Sequence, residues 1–260
     1  MGNVVISAGM AAVKAQIQMT CNNVEDLLPV LTIPLSSIAM IAIFANAGRE
    51  DLAGYALIAA LLMTVGQMGF FVGSEVVAND RNTQVLELIL VTDTPYWLVL
   101  VARILTLTIV GVVGFLESWL IAWIVFDYKI QVHDLSVFTF TLLATLVAIT
   151  GTCIVTAAIF CFGRTTRTLQ NIISGPLYLV GGVLVPVTFL PDWIQVIAQG
   201  VFFYWAADLL RATLTVDGVQ GVAIGIWMIL FLGICGGAVG VFLLQRMLDR
   251  LRRNGALSLL

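Results

Sequence analysis

The chain has 260 residues, of which 60% are hydrophobic and 10% charged. A water-facing surface carries about a quarter to a third charged residues, so this composition excludes a soluble protein and gives an integral membrane protein. The net charge of −3 says little about partners, because it hides an asymmetry between the two sides of the chain's loops.

Residues 1–26 form an N-terminal arm. Within it Ser7 to Thr20 offers a Ser N-cap, with Met10, Val13 and Ile17 at helical spacing, which predicts a helix lying along the membrane interface. A frayed cytosolic end is the alternative, because the apolar face is small. No cationic segment leads directly into an apolar core with a small-residue cleavage site, so no cleaved signal peptide is read.

Crossing about 30 Å of hydrocarbon takes roughly 20 apolar residues. Six stretches meet that length: Leu27–Ala47, Leu52–Ser74, Ile104–Phe126, Val137–Phe162, Leu169–Leu190 and Val222–Leu244. The first holds Pro29 and Pro34, which remove backbone donors and bend a helix. The second contains Gln67, and the third is interrupted by Glu117 beside Ser118. A carboxylate inside a membrane is costly and faces protein or a watery cavity. Glu117 is therefore either a structural hydrogen-bonding group or a cavity-lining one, and Gln67 is read the same way.

Between the second and third stretches lies a polar connector, residues 75–96. Here Glu75, Asp80, Arg81 and Glu87 are regularly placed around the apolar run Val85, Leu86, Leu88, Ile89 and Leu90, and Thr92-Asp93-Thr94-Pro95 ends it with turn chemistry. Such a helix lies on a membrane or fits a groove in another protein. Charged caps on two long helices with a solvated joint are the plainer alternative.

After the fifth stretch, Pro186 to Asp217 is the second unusual region. Only 15 uncharged residues separate Asp192 from Asp208, too few for a crossing but enough for a re-entrant hairpin, placed at residues 189–219. Trp193, Phe202, Phe203, Tyr204 and Trp205 suit the interfacial belt. In the last stretch Gly221 and Gly225, Gly233 and Gly237, and Gly236 and Gly240 stand four apart, a spacing that brings helix backbones close, either within the subunit or across a dimer seam.

Six spans put both termini on one side. Lys14, Arg81, Arg103, Arg164, Arg167, Arg246, Arg250, Arg252 and Arg253 share that side, nine cations against Arg49, Lys129 and Arg211 on the other. The positive-inside rule makes it the cytoplasmic side. There is no GxxxxGK[ST] loop, HExxH or GxSxG, and the lone His133 sits in a short outer loop beside Asp134. The four cysteines, Cys21, Cys153, Cys161 and Cys235, lack CxxC spacing, which gives no disulfide framework or metal set. No catalytic, cofactor or metal residues and no nucleic-acid partner are expected.

Glu75, Asp80-Arg81-Asn82-Thr83, Leu86-Glu87-Leu88 and Thr94-Pro95 followed by Arg103 resemble the E, acidic-basic-small-Thr, L-E-x-L, T-P, basic pattern of permease subunits of type 2 ABC exporters. Pro186, Leu190-Pro191, Trp193 and Arg211 are similar to that family's P…LPxW…LR segment after the fifth span. Asn82 stands where the family usually has Gly, and Phe202-Phe203-Tyr204 stand where it often has Pro shortly before the Tyr.

The resemblance implies an all-α permease of six transmembrane helices in one domain, residues 1–260, in a bacterial plasma membrane. It implies pairing with a second copy or a sibling permease, and Mg-ATP hydrolysis in a separate ATP-binding subunit. Glu75, Asp80, Arg81 and Glu87 are then the ATPase-coupling residues. Gln67 and Glu117 are cavity candidates, and Pro186, Pro191, Trp193 and Arg211 form an outer gate. An apolar path suits amphipathic drugs, antibiotics or lipids, which points to the drug- and antibiotic-export branch. Three rivals remain open: a polysaccharide exporter of the same architecture, a proton-driven transporter using Glu117, and a membrane assembly factor that docks through the connector without transporting.

Overall fold

A computed structural model of the protein describes residues 2–48, 52–86, 89, 95–128, 131–160, 166–215 and 219–253. Among these residues every regular element is helical. The chain runs α1 (Gly2–Asn22), α2 (Val24–Asn46), α3 (Ala53–Gln67), a π-helical turn (Met68–Val72), α4 (Gly73–Asn82), α5 (Tyr96–Phe126), α6 (Leu135–Phe160), α7 (Thr166–Val180), α8 (Asp192–Ala198), α9 (Phe202–Ala212) and α10 (Val222–Arg253).

Among the described residues five helical stretches are long and apolar enough to cross a membrane: α2, the continuous rod from α3 through the π-turn to α4, α5, α6 and α10. The rod has 30 residues and α5 has 31, about 45 Å each at 1.5 Å per residue. Hydrocarbon accounts for about 30 Å of that. Both helices therefore project beyond it, and their projecting feet pack on each other, that of α5 also on α1.

Two sequence expectations need correction. The connector was expected to hold Glu75, Asp80 and Arg81, but all three belong to α4, the last turns of the second span. That helix stops at Asn82, where the Thr83 hydroxyl donates back to the Asn79 carbonyl at 2.8 Å and Gln84 takes a left-handed φ of 60°. Glu87, Thr94 and Arg164 lie outside the described residues.

The fifth stretch was expected to be one helix to Leu190. Instead α7 ends at Val180 after 15 residues, about 22 Å, and Gly182 turns the chain with φ +69°. Beyond it α8 and α9 meet at 93° across a break at residues 199–201, the geometry of a broken span or a re-entrant loop. Counted with this bent pair, the apolar crossings number up to six.

The glycine pattern of the last stretch resolves in favour of packing within the subunit. α10 lies along α6, and a side chain on Gly233 would run into the Ala148 backbone. At Gly240 a Cβ would sit 2.7 Å from the Val155 nitrogen. Gly233→Val is therefore expected to destabilise the protein by about 1–3 kcal/mol through overpacking. Gly175→Ala, where a new Cβ meets nothing within 4 Å, is expected to be neutral or stabilising. Thermal unfolding of the detergent-solubilised variants checks both, and equal effects would contradict the packing assignment.

Candidate coupling site and membrane cavities

The feet of the second and third spans are joined by one buried ion pair. Pro95 at the N-cap, with φ −66°, starts α5, so Tyr96 is its first residue and Arg103, two turns on, shares its face. Both side chains reach Asp80 on α4. Arg103 Nη1 donates to the two Asp80 carboxylate oxygens at 2.6 and 2.7 Å, and the Tyr96 hydroxyl donates to Oδ2 at 2.9 Å. Arg103 Nε reaches the other way, to Gln16 Oε1 at 2.7 Å, and Gln16 in turn donates to the Thr20 hydroxyl at 3.0 Å.

Asp80 is 1% exposed and Arg103 5%, so this chain of bonds is dry. Charge-assisted bonds of this kind are short and directional, and in a low dielectric an unpaired member is expensive. α1, α4 and α5 are thus tied at one point. α1 turns Ala12, Gln16 and Thr20 inward and leaves Met10, Ile17 and Met19 exposed, the reverse of a helix facing water.

Asp80 is thereby an internal group and not a contact surface. Arg81 stands half-buried in the last turn of α4, and Glu75 half-buried nearly two turns before it. Arg103 belongs to the sequence pattern, but its role, with Gln16 and Tyr96, is visible only in three dimensions.

Two cavities flank the π-turn. One, of about 470 Å³, opens between the start of α2 and the second span, and is lined by Glu25, Asp26, Thr32, Gln67, Phe71 and Glu75 among others. The other, of about 350 Å³, is apolar and lies among the second span, α6, α7, α10 and the elbow between α8 and α9. Phe71 lines both. Their sizes fall in the roughly 300–1,000 Å³ range of ligand sites. A π-turn displaces the residues after it relative to a regular helix, and such turns gather at functional sites.

Gln67 therefore faces a cavity, whereas Glu117, half-buried on α5, lines neither. The neighbouring Ser118 is buried, donates to the Gly114 carbonyl at 2.9 Å and lies 3.2 Å from the Ser37 hydroxyl of α2.

At the other end of the bundle Arg211 closes the break that follows α7. Its Nη1 and Nη2 donate to the Gly182 and Val183 carbonyls at 2.7 and 2.6 Å, groups that the end of α7 leaves without helical donors. The guanidinium also sits 5.0 Å over the Tyr55 ring. Pro186 leads into a short 3-10 turn, Val187–Phe189, and Pro191 caps the start of α8. Trp193 on α8 is 67% exposed.

The family model for ABC-2 type transporters matches residues 10–215, more than half of the chain, from α1 through the Asp80–Arg103 clamp to the bent pair α8–α9. The chain belongs to the ABC-2 type transporter family. No curated protein and no solved structure matches it significantly. ABC-2 membrane domains are the permease components of ABC transporters, and the family implies an ATP-binding partner and permease pairing.

In this ABC-2 permease the clamp is open to a direct test. Arg103→Met leaves the Asp80 carboxylate buried without its cation, at an expected cost of about 3–5 kcal/mol. Adding Asp80→Asn removes the stranded charge and is expected to restore much of that loss. A double-mutant cycle on thermal or denaturant unfolding in detergent reads the coupling. Additive single effects would mean that the two groups do not depend on each other.

Proposed function

We propose that this permease is the transmembrane subunit of an ATP-driven exporter that moves an amphipathic molecule, such as a drug, an antibiotic or a lipid, out across a bacterial plasma membrane. The observation that supports coupling is the Asp80–Arg103 pair. A push on the connector after α4 reaches α4, α5 and α1 together, because one buried pair and one Gln16 bond bind their feet. Mg-ATP is bound and hydrolysed in a separate ATP-binding subunit that touches the connector through Arg81 and Glu87. Asp80 transmits the push internally, and Glu75 carries it along α4 towards the polar cavity.

Two permeases, identical or sibling, enclose the path, and both termini face the cytoplasm. In this arrangement α1 lies in the inner interface with Met10, Ile17 and Met19 towards lipid. The outer gate is the α8–α9 elbow as a re-entrant hairpin, shaped by Pro186 and Pro191, anchored at the interface by Trp193 and held to the fifth span by Arg211.

The lining favours an amphipathic cargo over a sugar chain. Sugars stack on aromatic faces, and no Trp or Tyr lines either cavity among the described residues. The polar cavity offers Gln67 and carboxylates on one side of Phe71, and hydrocarbon lies on the other. A proton-driven mechanism would need Glu117 at the path, and that residue borders neither cavity.

Gentle solubilisation of the tagged protein from its own membranes, followed by mass spectrometry of what accompanies it, tests this function. An ATP-binding subunit is expected in the wild-type sample and is expected to be lost with Arg81→Glu or Glu87→Arg. A preparation without any ATPase, under conditions that hold a known ABC complex together, would contradict the exporter reading.

A further inference from the structure

The coupling clamp leaves the apolar cavity beside the π-turn without a role, and its wall is almost all hydrocarbon, with Ser174 on α7 its one polar side chain outside α6. Thr152 and Thr156 on α6 are its polar residues on that helix, and their hydroxyl protons are already taken. Thr152 donates to the Ala148 carbonyl and Thr156 to the Cys153 carbonyl, each at 2.8 Å. What α6 offers the cavity is therefore methyl and methylene surface. Phe71, Ile173, Phe202 and Leu232 complete it from four other elements.

The cavity is bounded by Phe71 on the π-turn and by Phe202 at the elbow between α8 and α9. Thr152 lies eight residues from Phe160, where α6 ends, about 12 Å into the helix, so the space is at hydrocarbon depth. Ile173 on α7 lines it and is itself half exposed, so the cavity reaches the surface of this chain. Across Phe71 begins the polar cavity with Gln67 and Thr32. An apolar slot that adjoins a polar chamber through one shared side chain matches a molecule with a tail and a head.

We propose that the apolar cavity binds one alkyl chain, with the head group of the same molecule in the polar cavity beyond Phe71. An alkyl chain needs no hydrogen bonds, and a slot at this depth has no bulk water to fill it. Both a bilayer phospholipid and the transported amphiphile carry such a chain. The site follows from the two cavities alone, and its assignment to the transported molecule rests on the exporter reading.

The test uses the full-length protein in nanodiscs containing a phosphatidylcholine with a photoreactive diazirine near the end of one acyl chain. After irradiation, peptide mapping is expected to find more adducts around Thr152 and Thr156 than at Trp227 and Phe231, which face outward from α10. Filling the slot from either wall, by Thr156→Trp or by Leu232→Trp, is expected to lower the cavity adducts about tenfold, the equivalent of roughly two buried methylenes. Adducts at Trp227 should not change. Thr156→Val keeps the volume and should keep the labelling, because that hydroxyl serves its own helix. Cavity adducts no stronger than those at Trp227, or undiminished in both filled variants, would overturn the site.

A second arm separates the sources. Adding unlabelled hexadecylphosphocholine should displace the label, and ATP with the ATP-binding subunit present should release it if the occupant is the transported molecule. A label that ATP leaves in place assigns the chain to the bilayer, so the site stands and its assignment to the cargo fails. Absence of any ATP-binding subunit would remove the exporter reading and leave the alkyl site unaffected.

Discussion

A carboxylate and a guanidinium withdrawn from water at the foot of a membrane bundle are tolerated only because each completes the other. Asp80 takes bonds from Arg103 and Tyr96, and Arg103 has a further bond left over for Gln16. The rest of this end of the bundle follows from this arrangement. The second and third spans must overshoot the hydrocarbon for their feet to meet, and α1 must lie against α5 for Gln16 to be in reach. Removing one partner is costly while replacing both is not. The pair therefore fixes how the three helices sit more than it adds to stability.

The opposite end is organised by a different constraint. A helix that stops inside a membrane exposes carbonyls with no water to receive them. α7 stops at Val180, and the carbonyls beyond it find their donors in Arg211, which comes from α9. The bent pair α8–α9 and the fifth span are thus joined by the groups that the break sets free. Between the two organised ends lies the π-turn, flanked by the two cavities and packed flat on its neighbours at Gly69 and Gly73, where a side chain would run into Ile149 and Cys153. Relative movement of the ends would be felt where Phe71 stands.

Much of this was legible in the sequence. Hydrophobic length located the crossings, and the degenerate motifs around Asp80 and Arg211 marked the two regions that turn out to hold the buried arginines. The family match over residues 10–215 bears out the ABC-2 resemblance. What the sequence left hidden has physical reasons. Hydropathy does not register where a helix stops, so Leu169–Leu190 reads as one span although Gly181 and Gly182 interrupt it. Charge suggests exposure, so Asp80 reads as a surface contact although Arg103, distant in sequence, takes it inside. A π-turn leaves no compositional signature, and neither cavity is encoded in any single segment. The glycines of α10 did carry the right signal, but only the packing on α6 decided between their two meanings.

The central claim is that α1, α4 and α5 move as one body because the Asp80 network binds them. Spin labels at Lys14 and Asn79, both exposed and on α1 and α4 respectively, report the internal distance of that body, and a pair at Asn79 and Trp227 reports its movement against α10. Pulsed electron-electron resonance on the assembled transporter, with and without ATP, measures both. The account predicts an unchanged Lys14–Asn79 distance and a shifted Asn79–Trp227 distance when ATP binds. A Lys14–Asn79 distance that changes with nucleotide while the Asp80–Arg103 pair is intact would contradict it.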